Sequence, residues 1–593
     1  MSESNVTQEQ KEKLEKFRYL LLDKLNNTSS NLIIVAPTGT GKTTAILNYI
    51  AMNREKQFLY VSPLRALCEE VHRKLLSFNV PSDLIMGDVW EEVPESKHKV
   101  IISTYEKADS MIRHGYKWLN PDVIIIDEFH NINNREAIES LILYALSEKK
   151  RLVLLSATVS NIDDVIHWVP AVVVKQEDRV IPLYKGIIYK KEIHGNIPIK
   201  YHDTILKGPF EFTEKGKVIM VFVKSRWSAV DYYRKLPKKY KDLAIVFHGG
   251  LEPQRRKEVM EQILSGKKKI IITTTALGQG INLPVWMIIF EDTVLPVVKD
   301  GVFLNWRYLS LTEFNQIAGR AGRPGYDNEG IVIVYANNPK DFEVKKMYLE
   351  EGSTAVMRSL SLEDYMLTTV HRKKGISFDE LVKTALLHTN DKEQVRKALE
   401  FLLTQKLVTV KNNLYVATDL GKALVLAYLD IKDGLQIARD LHLLKNNNLT
   451  FRDLLYIISV NPKIKSVSRG QNPYTLLYSY INGDRIDINV SFTKNDLDNV
   501  VNNARWIANA MYRIAKVLGL KVEPFDELRK SLDYGVPKEL FPLYEVVRNR
   551  YQTLQLERIG IKSPKDICER KKEAEEIIGG EKVQKICEGK PDG

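Results

Sequence analysis

The apolar run Leu32 to Val35 passes without a break into Ala36-Pro37-Thr38-Gly39-Thr40-Gly41-Lys42-Thr43, with Thr44 behind it. A short β-branched run, a glycine loop and a helical stretch in that order commit the segment to a strand-loop-helix unit of a parallel sheet. The glycines let the backbone turn its N–H groups toward an anion. A following helix adds its positive N-terminus, Lys42 is placed to reach the β- and γ-phosphates, and the Thr43 hydroxyl can ligate Mg²⁺. The segment therefore points to a nucleoside triphosphate. Ala36 stands where the usual pattern has a first glycine, so an ordinary strand-turn-helix is the competing reading.

A second run decides between them. Val123 to Ile126 ends in Asp127-Glu128-Phe129-His130, so that an apolar strand delivers two acids. In a nucleotide site the first acid holds Mg²⁺ and the second orients or deprotonates the attacking water. Alone, such a pair reads as a solvated strand end. Together with the phosphate loop it predicts two sites at the C-terminal ends of neighbouring parallel strands, where open α/β sheets bind ligands.

The chain has 593 residues, too many for one core, and divides by length into about four domains. Lys plus Arg outnumber Asp plus Glu by 87 to 75, a formal net charge of +12 that favours a polyanionic partner without proving one. Three cysteines, Cys68, Cys568 and Cys587, cannot build a disulfide framework or a Cys-rich zinc site. They are expected as reduced thiols of a cytoplasmic protein, with pairing of Cys568 and Cys587 the alternative open to a thermophile. Met1 to Lys16 is polar, and no run of 18 apolar residues occurs, so neither export nor a membrane span is expected.

From Asn31 to about Val174 short apolar runs (Phe58 to Val61, Val100 to Ile102, Val123 to Ile126, Leu152 to Leu155) alternate with helical stretches. A second series follows from about residue 217, at Val218 to Val223, Ala244 to Val246, Ile270 to Ile272, Ile288 to Phe290 and Ile331 to Val334. The pattern predicts two tandem α/β domains with parallel sheets and a cleft between them, Lys175 to Lys215 being the connection. Beyond residue 352, Asp379 to Leu387 and Asp391 to Gln405 read as a helix-turn-helix, and Leu407 to Val410 with Leu414 to Val416 as a two-stranded wing. Residues 420 to 533 read as helical, with an interruption around Lys445 to Asn448, and the tail from Tyr534 as short helices and turns.

Further polar motifs follow the same strands. They are Ser156-Ala157-Thr158 after Leu152 to Leu155, Thr273 to Pro284 after Ile270 to Ile272, and Gln316-Ile317-Ala318-Gly319-Arg320-Ala321-Gly322-Arg323. Arg320 and Arg323, three apart, share one helical face and can address one anion. With Ser62 to Leu67, Gly87-Asp88, Ser103-Thr104, Val221 to Arg226 and His248 to Leu251, this ordered set resembles the motif series of superfamily 2 helicases. Gly280-Ile281-Asn282-Leu283-Pro284 and Gly319 to Gly325 are similar to the Ski-like branch, and within it to the archaeal Hjm-type DNA helicases.

The resemblance implies RecA-like ATPase domains at 1–195 and 196–352, a winged helix at 353–429, a helical ratchet domain at 430–533 and a helix-hairpin-helix-like module at 534–593. It implies an ATP- and Mg²⁺-dependent 3′–5′ helicase acting on single-stranded and forked DNA, in fork repair or recombination; a packed single-chain motor needs no second copy, so a monomer is expected. An RNA helicase, or an ATPase clamp that remodels without processive unwinding, is the alternative. By the same resemblance Lys42, Asp127, Glu128, Gln316, Arg320 and Arg323 are the catalytic set. Ala36 to Thr44 and Gly280 bind ATP, Thr43 and Asp127 hold the metal, and Ser156, Thr158 and His130 couple hydrolysis to the bound strand. Arg65, Thr104, Lys224 and Thr274 fall in motifs that touch backbone phosphates, a solvated surface being the plain alternative for each. Gln8 and Gln10 lie farther from the phosphate loop than an adenine-reading glutamine should, which leaves base choice open.

Two segments suit strand separation and grip. Asp300-Gly301 between apolar runs is a hairpin signal. Alternation puts Leu304, Trp306 and Tyr308 on one face of the returning strand, and Phe303 and Arg307 on the other. Phe303 and Trp306 are candidate nucleic-acid contacts, with packing on the domain as the alternative. In Asp496 to Leu518 an apolar stripe (Val500, Ala504, Ile507, Met511, Ile514, Leu518) lies about 120° from Trp506, Asn509 and Arg513 at roughly 100° per residue. Trp506 and Arg513 are therefore expected to stack on a base and contact phosphate, an interdomain contact being the competing use of the tryptophan. In the terminal module Val547-Arg548-Asn549-Arg550 stands where a glycine hairpin is expected, so Arg548 and Arg550 are candidates to replace backbone amides by charge.

Overall fold

The computed structural model describes residues 8–37, 40–156, 162–176, 181–274, 285–299, 302–322, 327–350, 359–443 and 449–588. The chain divides into two compact units, Met1–Val297 with Asn305–Thr418, and Val298–Leu304 with Asp419–Gly593.

The first unit holds two large sheets. Seven strands, β1 (Asn31–Val35), β2 (Phe58–Ser62), β3 (Asp83–Ile85), β4 (Val100–Thr104), β5 (Val123–Ile126), β6 (Arg151–Ser156) and β7 (Ala171–Lys175), form the first. Their spatial order is β3-β4-β2-β5-β6-β1-β7, and every neighbouring pair is parallel. Alternation along β1 sends Leu32 and Ile34 toward Phe17, Leu21 and Leu25 of α1 (Gln8–Asn27) and Ile46 of α2 (Lys42–Met52). Ile33 and Val35 face the opposite core with Ile138 and Leu141. Burial on both faces is why these strands read as unbroken β-branched runs. Truncating one such side chain to alanine costs about 2–5 kcal/mol. The acids and the phosphate loop do not stand on adjacent strands as expected, because β6 pairs with both β5 and β1 and separates them.

The second sheet contains β8 (Leu183–Tyr189), β9 (Glu192–Gly195), β10 (Ile219–Phe222), β11 (Ala244–Phe247), β12 (Ile270–Thr273) and β13 (Met287–Phe290). After a hairpin of β14 (Val294–Lys299) and β15 (Val302–Tyr308) it is completed by β16 (Gly330–Tyr335). Its order is β11-β12-β10-β13-β16-β8-β9, parallel except for the antiparallel β8–β9 edge. The boundary expected at 195 therefore falls too late. β8 pairs along β16 and β9 along β8, so both belong to the second sheet and Lys175 to Lys215 is not merely a connection.

Past the second sheet, helices Leu362–Lys373, Phe378–Ala385 and Lys392–Thr404 start at Ser361, Ser377 and Asp391, each side chain accepting a backbone N–H of the first turn. The antiparallel pair β17 (Val408–Lys411) and β18 (Leu414–Ala417) completes the helix-turn-helix with a two-stranded wing. The division between units falls at Thr418, so the helix Asp419–Leu426, expected at the end of that domain, groups with the helices after it.

In the second unit the 25-residue helix Lys494–Leu518 opens with a capping box between Thr493 and Asp496 and stops at Gly519, which takes φ 68°. Val500, Ala504, Ile507, Met511 and Ile514 are buried along it, as the stripe requires, whereas Leu518 at its end is half-buried. Five short helices then pack around Leu543, Val547, Leu556, Ile561 and Ile567. Cys568 and Cys587 form a disulfide with Cα atoms 5.5 Å apart, which corrects the expectation of free thiols. The turn from Pro564–Glu569 to Gly580–Cys587 brings the two within bonding reach. Cys68 is free and buried. No helix among the described residues is long and apolar enough to cross a membrane.

Candidate active site

The C-terminal ends of β1, β5 and β6 converge on one edge of the first sheet. Ala36 N–H donates to Ser156 O at 3.1 Å, and Asp127 N–H to Val61 O at 2.9 Å, so loop, acid and serine leave the sheet in fixed register. Gly41 precedes α2 at φ 89°, a conformation that strains any residue with a Cβ, and Thr40 Oγ1 ties the loop by donating to Pro37 O at 2.9 Å. Lys42 donates its ammonium to Ala36 O and to Pro37 O, the latter at 3.2 Å. Burial pushes the Lys42 pKa down, and Glu128 and Asp127 oppose that shift.

Asp127 and Glu128 are half-buried at the end of β5. Tyr60 OH donates to Asp127 Oδ2 at 2.7 Å, Glu128 N–H donates to Asp127 Oδ1 at 3.0 Å, and Tyr105 OH donates to Asp127 O. Lost solvation, then the neighbouring Glu128, push the Asp127 carboxyl up to about 6. Glu128 is raised by lost solvation, with Lys42 and Arg320 holding it down. Glu128 also adopts φ 54°. A non-glycine residue there is held by its surroundings, and such outliers cluster at functional sites. His130 Nδ1 lies 3.1 Å from Ser156 Oγ and 3.3 Å from Glu128 Oε2, so the acid, the histidine and the first residue of Ser156-Ala157-Thr158 meet. Burial, then Lys42, push His130 down to about 4, which leaves it neutral at pH 7.

The second sheet brings Gln316, half-buried on the helix Leu311–Ala318, and Arg320, which is 9% exposed. The segment after Arg320 is pinned: Ala321 bridges Val285, Gly322 N–H donates to Val285 O at 2.8 Å, and Gly322 at φ 70° crosses Gly330 so closely that a Cβ would sit 2.6 Å from Gly330 N. Burial lowers the Arg320 pKa to about 10, and Glu128 resists the change, so the guanidinium of one α/β domain acts on the acid of the other. Arg323, Gly280, Thr158, Thr38 and Gly39 lie outside the described residues.

Two acids served by the Lys42 ammonium suit a divalent cation, and an oxygen-only donor set of Thr43 and Asp127 is the sparse kind Mg²⁺ takes when phosphates and waters complete its shell. Among the described residues no three His, Cys, Asp or Glu side chains cluster as an all-protein metal site.

Arg65 is exposed at the start of the helix Arg65–Ser77, Thr104 is the last residue of β4 and precedes the helix Tyr105–His114, and Thr274 follows β12. Lys224 Nζ lies 3.7 Å from Asp292 Oδ1 and 5.4 Å from the Trp306 ring centroid. In the β14–β15 ribbon Leu304, Trp306 and Tyr308 are 55%, 42% and 38% exposed, and Arg307 on the other face is exposed too, forked onto both Glu313 oxygens at 2.7 Å. None of these four side chains is buried in a core. Phe303 lies in β15, and the Asp300-Gly301 turn lies outside the described residues.

Of the remaining candidates, Trp506 and Arg550 make hydrogen bonds within the fold. Trp506 is half-buried, its Nε1–H donates to Ala427 O at 2.8 Å, and Lys463 Nζ sits 5.3 Å from its ring centroid. Arg513 is half-buried on the same helix. Arg550 donates to Gly535 O at 2.8 Å and to Tyr480 O, and lies over the Tyr480 ring, whereas Arg548 is exposed. Of the two arginines, only Arg548 is open to a phosphate as the structure stands. Tyr60 and Tyr105 escaped sequence reasoning, because on or beside a buried strand a tyrosine is indistinguishable from core until its hydroxyl partner is known.

Comparison with known proteins accords with this geometry. Residues 16–165 match the DEAD/DEAH box helicase model, and residues 200–325 the helicase conserved C-terminal domain. Over 602 aligned residues the chain is 32% identical to "Putative helicase 7" of Sulfolobus islandicus filamentous virus, covering 97% of this chain and 99% of that protein. It is 25% identical to the ATP-dependent DNA helicase Hel308 of Thermoplasma volcanium, with 86% of each chain covered. Against Hel308 of Aeropyrum pernix it is 26% identical, over 90% of this chain and 85% of that one.

Proposed function

Since the chain belongs to the superfamily 2 helicases, with a motor of two RecA-like sheets and Hel308 proteins among its relatives, we propose that it is a 3′–5′ DNA helicase. In this reading it translocates on single-stranded DNA as a cytoplasmic monomer and opens forked or tailed duplexes during repair or recombination. The observation that carries the ATP-driven part is the meeting of Lys42, Asp127 and Glu128 from the first sheet with Arg320 from the second.

Lys42 and the N–H groups at the start of α2 bind the triphosphate. Thr43 and Asp127 would hold Mg²⁺, which when bound neutralises charge on the phosphates. Glu128, partly desolvated and fixed at φ 54°, orients the attacking water and takes its proton. Tyr60 holds the Asp127 carboxylate in place through its hydroxyl. Arg320 supplies positive charge from the second domain, so hydrolysis requires both domains together. His130, neutral and beside both Glu128 and Ser156, is positioned to relay that state toward Ser156-Ala157-Thr158. Arg65, Thr104, Lys224 and Thr274 grip the backbone in this reading, Trp306 on the exposed ribbon meets the duplex junction, and Trp506, Arg513 and Arg548 support the strand. A labelled strand should leave a 3′-tailed DNA duplex in an ATP-dependent way and stay on a 5′-tailed one. Release from tailed RNA alone would make the protein an RNA helicase, and ATP turnover with no release would make it a clamp.

A further inference from the structure

Arg18, on α1, is absent from the set of site residues derived above, yet its side chain lies against the phosphate loop. A Cβ built on Gly41 would overlap Arg18 Nε and sit 3.1 Å from its Cγ and 3.2 Å from its Cδ. The stem of the arginine therefore fills the space beside the glycine that opens α2. Its Nε is buried and has no hydrogen-bond partner among the described residues. A buried guanidinium nitrogen without an acceptor is costly, and this one stands one residue from Lys42, at the end of a loop shaped for an anion.

Arginine offers five donors and no acceptor. It cannot accept from the amino group of adenine, as an amide side chain can, whereas phosphate oxygens suit it without regard to base. Positions 8 and 10, the glutamines of the same helix, lie about 15 and 12 Å along its axis from position 18, at about 1.5 Å per residue. We propose that Arg18 is a nucleotide ligand: its guanidinium donates to phosphate oxygens at the helix end of the loop, beside Lys42, and the site holds nucleoside triphosphates by their charge without selecting adenine. This rests on the ATP-site reading above and adds to it a residue and a substrate range.

The test is equilibrium titration of the full-length protein with ribose-labelled fluorescent ATP, GTP and UTP, for wild type, Arg18→Ala and Arg18→Lys, with a melting curve for each. Wild type is expected to bind all three within about threefold of one another, and Arg18→Ala to weaken all three by about 10- to 100-fold. Arg18→Lys, which keeps the charge but loses the fork, should fall between. The proposal is overturned if Arg18→Ala binds like wild type, if its loss is confined to one base, or if wild type prefers ATP by more than about 30-fold. Should Arg18→Ala melt early, Arg18→Lys at unchanged melting temperature decides by the same criteria. A folded wild type that binds none of the three would refute the ATP site itself, an outcome distinct from failure at Arg18.

Discussion

Replacing Asp127 with asparagine should stabilise the protein at neutral pH while abolishing ATP hydrolysis. Moving a carboxyl from its ordinary 3.8 to about 6 corresponds to about 3 kcal/mol of cost when it is ionised. Because Asp127 is only half-buried, solvent screening trims that to about 2 kcal/mol. The amide can still accept from Tyr60 OH, but its NH₂ then faces the Glu128 N–H that Oδ1 now satisfies, a loss of about 1 kcal/mol. The net gain is about 1 kcal/mol, or roughly 2–4 °C in melting temperature. The folded pKa is the higher one, so the cost of the carboxylate is absent below 3.8, grows between 3.8 and about 6, and is complete above. Paired melting curves of Asp127→Asn and wild type in chelated, divalent-free buffer should show the variant ahead at pH 7.5 and level or behind near pH 4. A variant that melts lower at pH 7.5, or a difference independent of pH, would mean that the Asp127 carboxylate carries no such cost.

Glu128→Gln should keep nucleotide binding within a fewfold of wild type and lose hydrolysis by about 10² to 10⁴, read by fluorescence titration beside phosphate release. Trp506→Phe removes the bond to Ala427 O and should lower the stability of the C-terminal unit by about 1 kcal/mol in denaturant melts, with basal ATP turnover unchanged. Reducing the Cys568–Cys587 disulfide, whose cysteines are 19 residues apart, should cost the terminal module about 3 kcal/mol, visible as earlier proteolysis within residues 534–588.

Much of the motor was legible because parallel strands buried on both faces cannot hide: Leu32 to Val35, Phe58 to Val61 and Val123 to Ile126 each reappear as strands. Edge strands did not announce themselves. The three-residue β3 is nowhere fully buried and carries Asp83, and β8 and β9 pair through a stretch whose Lys185, Gly186 and Glu192 dilute any apolar run. Strand order is a property of long-range pairing, so the insertion of β6 between the acid and the phosphate loop left no local trace. At Trp506 helical phase correctly placed the ring off the apolar stripe, but an indole has a polar end. The carbonyl that holds it, at Ala427, is 79 positions away in sequence. The cysteine pair failed for a related reason: composition argues about compartments, while bonding depends on the turn that brings residues 568 and 587 together.

If two domains share the catalytic site, the loss of Arg320 must be felt in the chemical step itself, which single-turnover hydrolysis by Arg320→Ala reads. With nucleotide binding preserved within a fewfold, the chemical step is expected to slow by about 10³- to 10⁵-fold. Hydrolysis at close to the wild-type rate would mean that the second sheet contributes nothing to the chemistry, and the shared site would have to be abandoned.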